Sequence, residues 1–175
     1  MKKLLFAISL SLLTVVSFAQ KKNKYAKDIK VSTDKFDGKK TWSSPYTSKI
    51  YGQIKSERVS FTKIKRDEEF VIYLSLKSTG STLNVNEKGV ILLFTDGDKI
   101  EFPNAEIDTE AGDGAYWQYS AFVSISNEQL DKFITKDIDG FRLYIYDSNV
   151  TPYPEKVKKK RKQIKGWAEA IKEAI

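Results

Sequence analysis

The side chains with the clearest capacity to bind a ligand are aromatic residues in predicted strands and turns. Trp42, Tyr46, Tyr144 and Tyr146 are the candidate binding residues. An exposed planar ring can stack on the face of a sugar, and its polar tip can hydrogen-bond a hydroxyl group. Aromatic residues are also favoured in strands for packing alone, which is the alternative explanation. Alternation along the last predicted strand places Tyr144 and Tyr146 outward.

A run of five cations near the C-terminal end is the second candidate binding feature. Its members are Lys158, Lys159, Lys160, Arg161 and Lys162. On an amphipathic helix such a run can contact an anionic membrane surface. The alternative is a helix packed on its own domain with solvated lysines. No aromatic residue interleaves the run for base stacking, and the sequence therefore predicts no nucleic-acid partner.

Carboxylates are the remaining candidates for catalysis or metal binding. A glycan hydrolase needs two acids in one cleft with different pKa values, and sequence alone does not select such a pair. Two acidic clusters flank glycines, Asp96 with Asp98, and Asp108 with Glu110 and Asp113. Neither matches the Asp-x-Asp-x-Asp-Gly calcium loop, and Asp-Gly is ordinary turn chemistry. We therefore expect no metal and no cofactor.

Two residue types that serve most catalytic sites are absent. The chain has no Cys and no His, and its one Met is Met1. A thiol nucleophile and any Ser-His-Asp or Cys-His arrangement are therefore impossible. Zinc, copper and haem sites, which depend on His, Cys or Met, become improbable. The composition favours binding without chemistry over catalysis.

The N-terminal segment has the pattern of a cleavable secretory signal. Lys2 and Lys3 precede the apolar run of residues 4–18, and Ser17 and Ala19 are small residues at −3 and −1 of a cut. We therefore predict a signal peptide over residues 1–19 and export to the periplasm or the extracellular space. The run is short for a membrane span and lacks a stop-transfer pattern.

Charge is unevenly distributed over the predicted mature chain. Residues 20–30 carry a net charge of +4, residues 31–154 carry −4 and residues 155–175 carry +5. Solvated basic ends that keep the protein soluble explain this pattern. Two alternatives are a C-terminal helix that packs on the body partly by charge, and basic ends that meet an anionic surface.

Period-two patterns dominate the centre of the chain and predict strands. In residues 70–76, one face carries Phe70, Ile72, Leu74 and Leu76, and the other carries Val71, Tyr73 and Ser75. In residues 116–125, one face carries Trp117, Tyr119, Ala121, Val123 and Ile125, and the other carries Tyr116, Gln118, Ser120 and Phe122. Seven to nine strands with frequent turn signals predict a mainly β fold, an antiparallel sandwich or small open barrel. The predicted core residues between its layers are Phe70, Ile72, Leu74, Leu76, Val123, Ile125, Leu143 and Ile145.

Helical signals occur at two places. Ser126 and Gln129 form a capping-box pattern before a short helix. From residue 155 the spacing becomes helical, with Val157, Ile164, Ala168, Ile171 and Ile175 near one stripe and Trp167 beside it. We predict a flexible basic leader over 20–28, a β domain over 29–146, a linker over 147–154, and a helix over 155–175 packed on the β domain.

These observations favour one function and leave two alternatives. The expectation is an exported, non-catalytic interaction module of the bacterial cell envelope that binds a protein or a glycan. The first alternative is a carboxylate-dependent glycan hydrolase. The second is a protein that associates with an anionic membrane through its basic C-terminal helix.

Overall fold

The described part of the chain forms two antiparallel sheets and two helices. A computed structural model describes residues 23–47, 58–80, 88–112, 116–143 and 158–175. The strands are β1 (Lys30–Thr33), β2 (Lys40–Ser43), β3 (Arg58–Arg66), β4 (Glu69–Gly80), β5 (Val90–Phe94), β6 (Lys99–Phe102), β7 (Asp108–Ala111), β8 (Trp117–Ile125) and β9 (Ile138–Leu143). The helices are α1 (Asn127–Thr135) and α2 (Lys158–Glu173), with one 3-10 turn at Ala26–Asp28.

The strands divide into a six-stranded and a three-stranded sheet. The larger sheet has the order β1-β2-β3-β4-β8-β7, and the smaller has β6-β5-β9. Every strand pair is antiparallel, and neither sheet closes on itself. The predicted fold class is therefore confirmed as a mainly β architecture of two open antiparallel sheets with a short helix and a C-terminal helix.

Alternation along β4 and β8 provides the centre of the core. Ile72, Leu74, Leu76, Val123 and Ile125 are all buried, as their spacing predicts, because alternate residues of a strand point to the same face. Leu143 of β9 is buried as well, and Ile145 lies outside the described residues.

Phe70 departs from the predicted core. Its side chain is 42% exposed although its position places it on the inner face with Ile72. Phe70 follows the tight turn between β3 and β4, where Asp67 has a φ of 53°. It lies at the end of the strand, where its ring meets the edge of Trp42 at 5.9 Å between centroids and the Lys63 ammonium at 4.3 Å from its centroid. The alternation correctly predicted that Phe70 points to the inner face, but the layer that covers this face does not extend far enough to bury it.

Helix α1 joins the two sheets. The Ser126 side chain accepts a hydrogen bond from the Gln129 backbone N–H, and the Gln129 side chain accepts one from the Ser126 N–H, which confirms the capping box. Phe133 packs edge-on against Phe61 of β3 at 5.2 Å and against Phe94 of β5 at 5.4 Å. One buried ring therefore contacts a strand of each sheet.

Helix α2 buries its apolar side against α1 and β3. Ile164, Trp167, Ala168 and Ile171 are at most 3% exposed. Ile175 of the predicted stripe is 92% exposed, because the helix ends at Glu173 and Ile175 no longer follows the helical period. Val157 lies outside the described residues.

Residues 23–28, which belong to the predicted leader, contact α2. The Asn23 side-chain amide donates to the Gly166 carbonyl at 2.7 Å, and the Trp167 indole N–H donates to Asp28 at 3.1 Å. The Tyr25 ring lies so close to Gly166 that a Cβ there would be 1.9 Å from the nearest ring carbon. The glycine on the helix makes room for the Tyr25 ring, which packs against α2 between these two hydrogen bonds.

A buried lysine meets the C-terminal end of α2. Lys63 is 7% exposed, and its ammonium donates to the carbonyls of Ala174 at 2.6 Å and Lys172 at 3.3 Å. Burial lowers the pKa of this amine. Carbonyls at a helix C-terminus lack intrahelical donors and carry partial negative charge, which offsets the cost of burying the cation.

The β5–β6 hairpin is tied to α1 by ion pairs. Asp98 accepts from Lys136 at 2.8 Å and from Lys132 at 2.9 Å, and Asp96 accepts from Lys136 at 2.8 Å. Hydrogen bonds from Lys136 are the largest cause that lowers the pKa of both carboxyls, and Lys132 adds to the effect on Asp98.

These lowered pKa values predict acid sensitivity. A carboxyl whose pKa is lower in the folded than in the unfolded chain stabilises the fold above its unfolded pKa, near 4, and loses that contribution as pH falls. We expect urea unfolding to show a smaller drop in stability between about pH 5 and about pH 2 for Lys136→Gln than for the wild type. Lys35→Gln, which removes a charge from an exposed turn, should keep the wild-type drop. Equal drops in Lys136→Gln and Lys35→Gln would contradict the prediction.

Candidate functional site

The outer face of the six-stranded sheet carries the strongest candidate site. β3, β4 and β8 pair in register, and side chains opposite one another lie on the same face. Three successive rows run across these strands: Arg58, Lys77 and Ser120; Ser60, Ser75 and Phe122; and Thr62, Tyr73 and Ser124. We call this set, together with Tyr46, the outer-face patch. It combines aromatic rings, hydroxyl groups and two cations.

Two rings in this patch stack on each other. Tyr73 of β4 and Phe122 of β8 are diagonal neighbours, with ring centroids 4.5 Å apart and an interplanar angle of 11°. Phe122 remains 55% exposed. Aromatic residues that are buried on the inner face stabilise the core, but an exposed stacked pair leaves apolar ring surface in contact with solvent. Such a surface is typical of interaction sites.

A bulge places Tyr46 beside this pair. The Ser44 N–H donates to the Phe61 carbonyl, and the Thr47 N–H donates to the Val59 carbonyl. The chain therefore advances three residues from Ser44 to Thr47, while β3 advances two between the carbonyls that accept these bonds. The extra residue redirects the chain. The Tyr46 hydroxyl lies 2.5 Å from the Ser75 hydroxyl, and its ring stays 36% exposed.

Cations border the aromatic part of the patch. The Lys77 ammonium lies 5.2 Å from the centroid of the Tyr46 ring, within the range of a cation–π interaction. Arg58 stands directly opposite Lys77 in the β3–β4 register. Both side chains are half-buried, and the Arg58 Nε is buried without a hydrogen-bond partner.

Two of the four predicted aromatic residues belong to the described part of the chain, and these two lie on opposite faces of the larger sheet. Tyr46 lies in the outer-face patch. Trp42 is 4% exposed on the inner face, where its ring meets Phe70 and the Lys40 ammonium, so little of it can reach a ligand. Tyr144 and Tyr146 lie outside the described residues.

Sequence reasoning did not select Tyr73 and Phe122 as site residues. Each occupies an outward position of an alternating strand, which was the available signal. That signal does not show that the two positions become neighbours, because the register between β4 and β8 brings together residues far apart in the chain.

Part of the cationic run on α2 contacts the rest of the fold, and part of it is exposed to solvent. Arg161 donates to Asp139 at 3.0 Å and to the Ile138 carbonyl at 2.9 Å, which ties the helix to β9. Lys158, Lys159 and Lys162 are exposed. The apolar side of α2 is buried, and the exposed lysines therefore have no apolar stripe beside them for insertion into a lipid layer. In the described ranges, no helix is long and apolar enough to span a bilayer.

One of the two acidic clusters makes contacts within the fold. Asp96 and Asp98 bind Lys132 of α1 and Lys136 just after it, and within the described residues no group of three or more potential ligands could hold a metal ion. Among the described carboxyls, a shifted pKa is found at Asp37, Asp96 and Asp98, and in each of them the pKa is lowered. A general acid of a hydrolase requires the opposite shift.

Comparison with known proteins gives no relative from which to transfer a function. No protein-family model, no curated protein and no solved structure matches this chain. The function must therefore be argued from the outer-face patch itself.

Proposed function

We propose that this protein is an exported, non-catalytic interaction module of the bacterial cell envelope that binds a glycan, or else a protein, through its outer-face patch. The observation that carries the proposal is the stacked Tyr73–Phe122 pair, exposed on a sheet face beside the anchored ring of Tyr46. The signal-like sequence over residues 1–19 supports the cellular location.

The surroundings of the rings favour a glycan over a protein. Hydroxyl groups of Thr62, Ser120 and Ser124 lie around the rings on side chains that are half-buried or exposed, whereas Ser60 and Ser75 of the same rows are buried. Sugars present apolar ring faces with hydroxyl groups at their edges, and a surface of rings and hydroxyls complements both. A protein partner of the same area usually requires a larger apolar centre with a polar rim.

Binding should depend on the exposed ring of Phe122. We expect Phe122→Ala to lose tenfold or more in affinity for envelope polysaccharides, because truncating a central aromatic contact typically costs more than about 1 kcal/mol. Binding is measured with immobilised polysaccharide fractions and, in parallel, immobilised envelope proteins. Phe36→Ala is the matched control, since Phe36 is fully exposed in the β1–β2 turn, away from the patch.

Several results would count against the proposal. Equal loss in Phe122→Ala and Phe36→Ala, or no loss in Phe122→Ala, would exclude the patch as the binding surface. If the protein binds an envelope protein and this binding depends on Phe122, the proposed interaction module would stand, with a protein as its ligand in place of a glycan. Release of reducing sugar from any polysaccharide by the purified protein would favour the hydrolase alternative.

A further inference from the structure

Two cations stand side by side at one end of the outer-face patch, with no acidic partner among the described residues. Arg58 and Lys77 are directly opposite in the β3–β4 register, and no ion pair in the described part of the chain includes either of them. Like charges directly opposite on a sheet are destabilising. The nearest acid in the same row is Asp108, which faces Ser120 from β7. It is two strands away from Lys77, about 10 Å at ordinary strand spacing.

The guanidinium of Arg58 has unused hydrogen-bonding capacity. Its Nε is buried and donates no hydrogen bond. A buried donor without an acceptor costs free energy, and an acceptor that reaches it regains that cost. The planar fork of a guanidinium matches the two oxygens of a carboxylate or phosphate group, and Lys77 can add a second charge from the adjacent strand.

The rings lie at distances that suit a ligand larger than a single anion. Tyr46 is held between Lys77 and Ser75, next to the cations. Phe122 is opposite Ser75, one row along, and Tyr73 is two rows along from Lys77. At the rise of an antiparallel strand these rows lie about 7 and 13 Å from the cations. An acid group at Arg58 and Lys77 would therefore place adjoining sugar rings over Tyr46 and the Tyr73–Phe122 pair.

We propose that the ligand of the outer-face patch is an acidic glycan, whose carboxylate or phosphate group binds Arg58 and Lys77 while its sugar rings lie on the aromatic residues. This inference rests on the proposed function and specifies its ligand class. A neutral glycan would use the rings and hydroxyl groups but leave the paired cations without a counter-charge. An anion without sugar rings would use the cations and leave the exposed rings in water.

A matched pair of oligosaccharides tests the charge requirement. We expect the wild type to bind a short oligogalacturonate about tenfold to a hundredfold more tightly than its methyl ester, which has the same rings without the charge. Isothermal titration calorimetry measures both affinities. A phosphorylated oligomannose, which keeps the sugar rings, forms a second arm, and its binding relative to oligogalacturonate shows whether phosphate or carboxylate is the preferred anion.

Substitution of the cations should remove this preference. In Arg58→Gln and Lys77→Gln we expect the ratio of the acid affinity to the methyl-ester affinity to fall towards one. Arg58→Lys keeps the charge without the fork and should be intermediate. The control variant carries glutamine at Lys158, Lys159 and Lys162 together, and we expect it to keep the preference for the acid over the ester. Circular dichroism and thermal unfolding show that each variant is folded.

The outcomes separate this inference from the function on which it rests. Equal binding of acid and ester that requires Phe122 would overturn the acidic-glycan inference and retain the glycan-binding module. A preference for the acid that disappears in the α2 control but persists in Arg58→Gln would also overturn it. Binding of anionic phospholipid vesicles instead of either oligosaccharide would assign the cations to a lipid surface. No binding to any glycan would overturn the acidic-glycan inference, and no binding to any glycan or envelope protein would contradict both proposals.

Discussion

Replacing Phe133 by alanine is expected to lower the free energy of unfolding by about 3–5 kcal/mol, the range for truncating a buried aromatic residue. Phe133 is 1% exposed and contacts Phe61 and Phe94, and its removal would leave a cavity that is lined by both sheets and α1. Urea unfolding followed by far-ultraviolet circular dichroism measures the change.

Phe36→Ala is the matched control for this substitution. It removes the same atoms from a ring that is fully exposed in a turn, and we expect a change within about 0.5 kcal/mol. Similar losses in the two variants would mean that Phe133 does not join the sheets. A loss confined to Phe133→Ala is the result expected from a core shared by both layers.

Replacing Trp167 by alanine should destabilise the protein by a comparable amount, about 3–5 kcal/mol. Trp167 is 3% exposed, and its indole N–H donates to Asp28. A double-mutant cycle with Asp28→Ala separates the hydrogen bond from the packing, because the two single substitutions share only that contact. We expect the coupling energy to be the smaller part of the loss.

Fluorescence distinguishes a packed α2 from one that binds lipid. The difference in emission between the wild type and Trp167→Phe reports Trp167 in a chain that also contains Trp42 and Trp117. We expect this difference spectrum to be that of a buried indole in the absence of lipid and to stay unchanged when anionic vesicles are added. A solvent-exposed spectrum that shifts to the blue only with vesicles would favour the membrane alternative.

Local patterns predicted the parts of the fold that depend on a single period. Leu74 and Val123 are buried because each belongs to an alternating strand with one apolar face. Ser126 and Gln129 form the predicted cap because both partners of a capping box lie within one turn of helix. Such features are set by neighbours in sequence, and a sequence alone is sufficient to find them.

Features that depend on distant partners were not predicted. Lys63 occupies an inward position among apolar residues, and its burial is explained only by the carbonyls at the end of α2. Tyr25 is one aromatic residue in a basic segment, and its position is explained only by Gly166. In both cases the partner lies more than one hundred residues away, and no local period identifies it.

The candidate site shows the same division. Tyr46 was predicted as a binding residue from its type, and alternation gave the outward direction of Tyr73 and Phe122. The stacking of these two rings and the opposition of Arg58 and Lys77 follow from strand register, which alternation does not determine. The chemical character of the patch could therefore be inferred in part, but its arrangement could not.

The contact between residues 23–28 and α2 has a consequence for the time course of folding. Asn23 and Gly166 are separated by 143 positions, and Asp28 and Trp167 by 139. Contacts of such long range require closure of a large loop, and proteins rich in them fold slowly. The core side of α2, with Ile164, Trp167 and Ile171, can pack only after the loop between residues 23–28 and α2 can close. A nascent chain therefore cannot complete this fold until α2 has emerged.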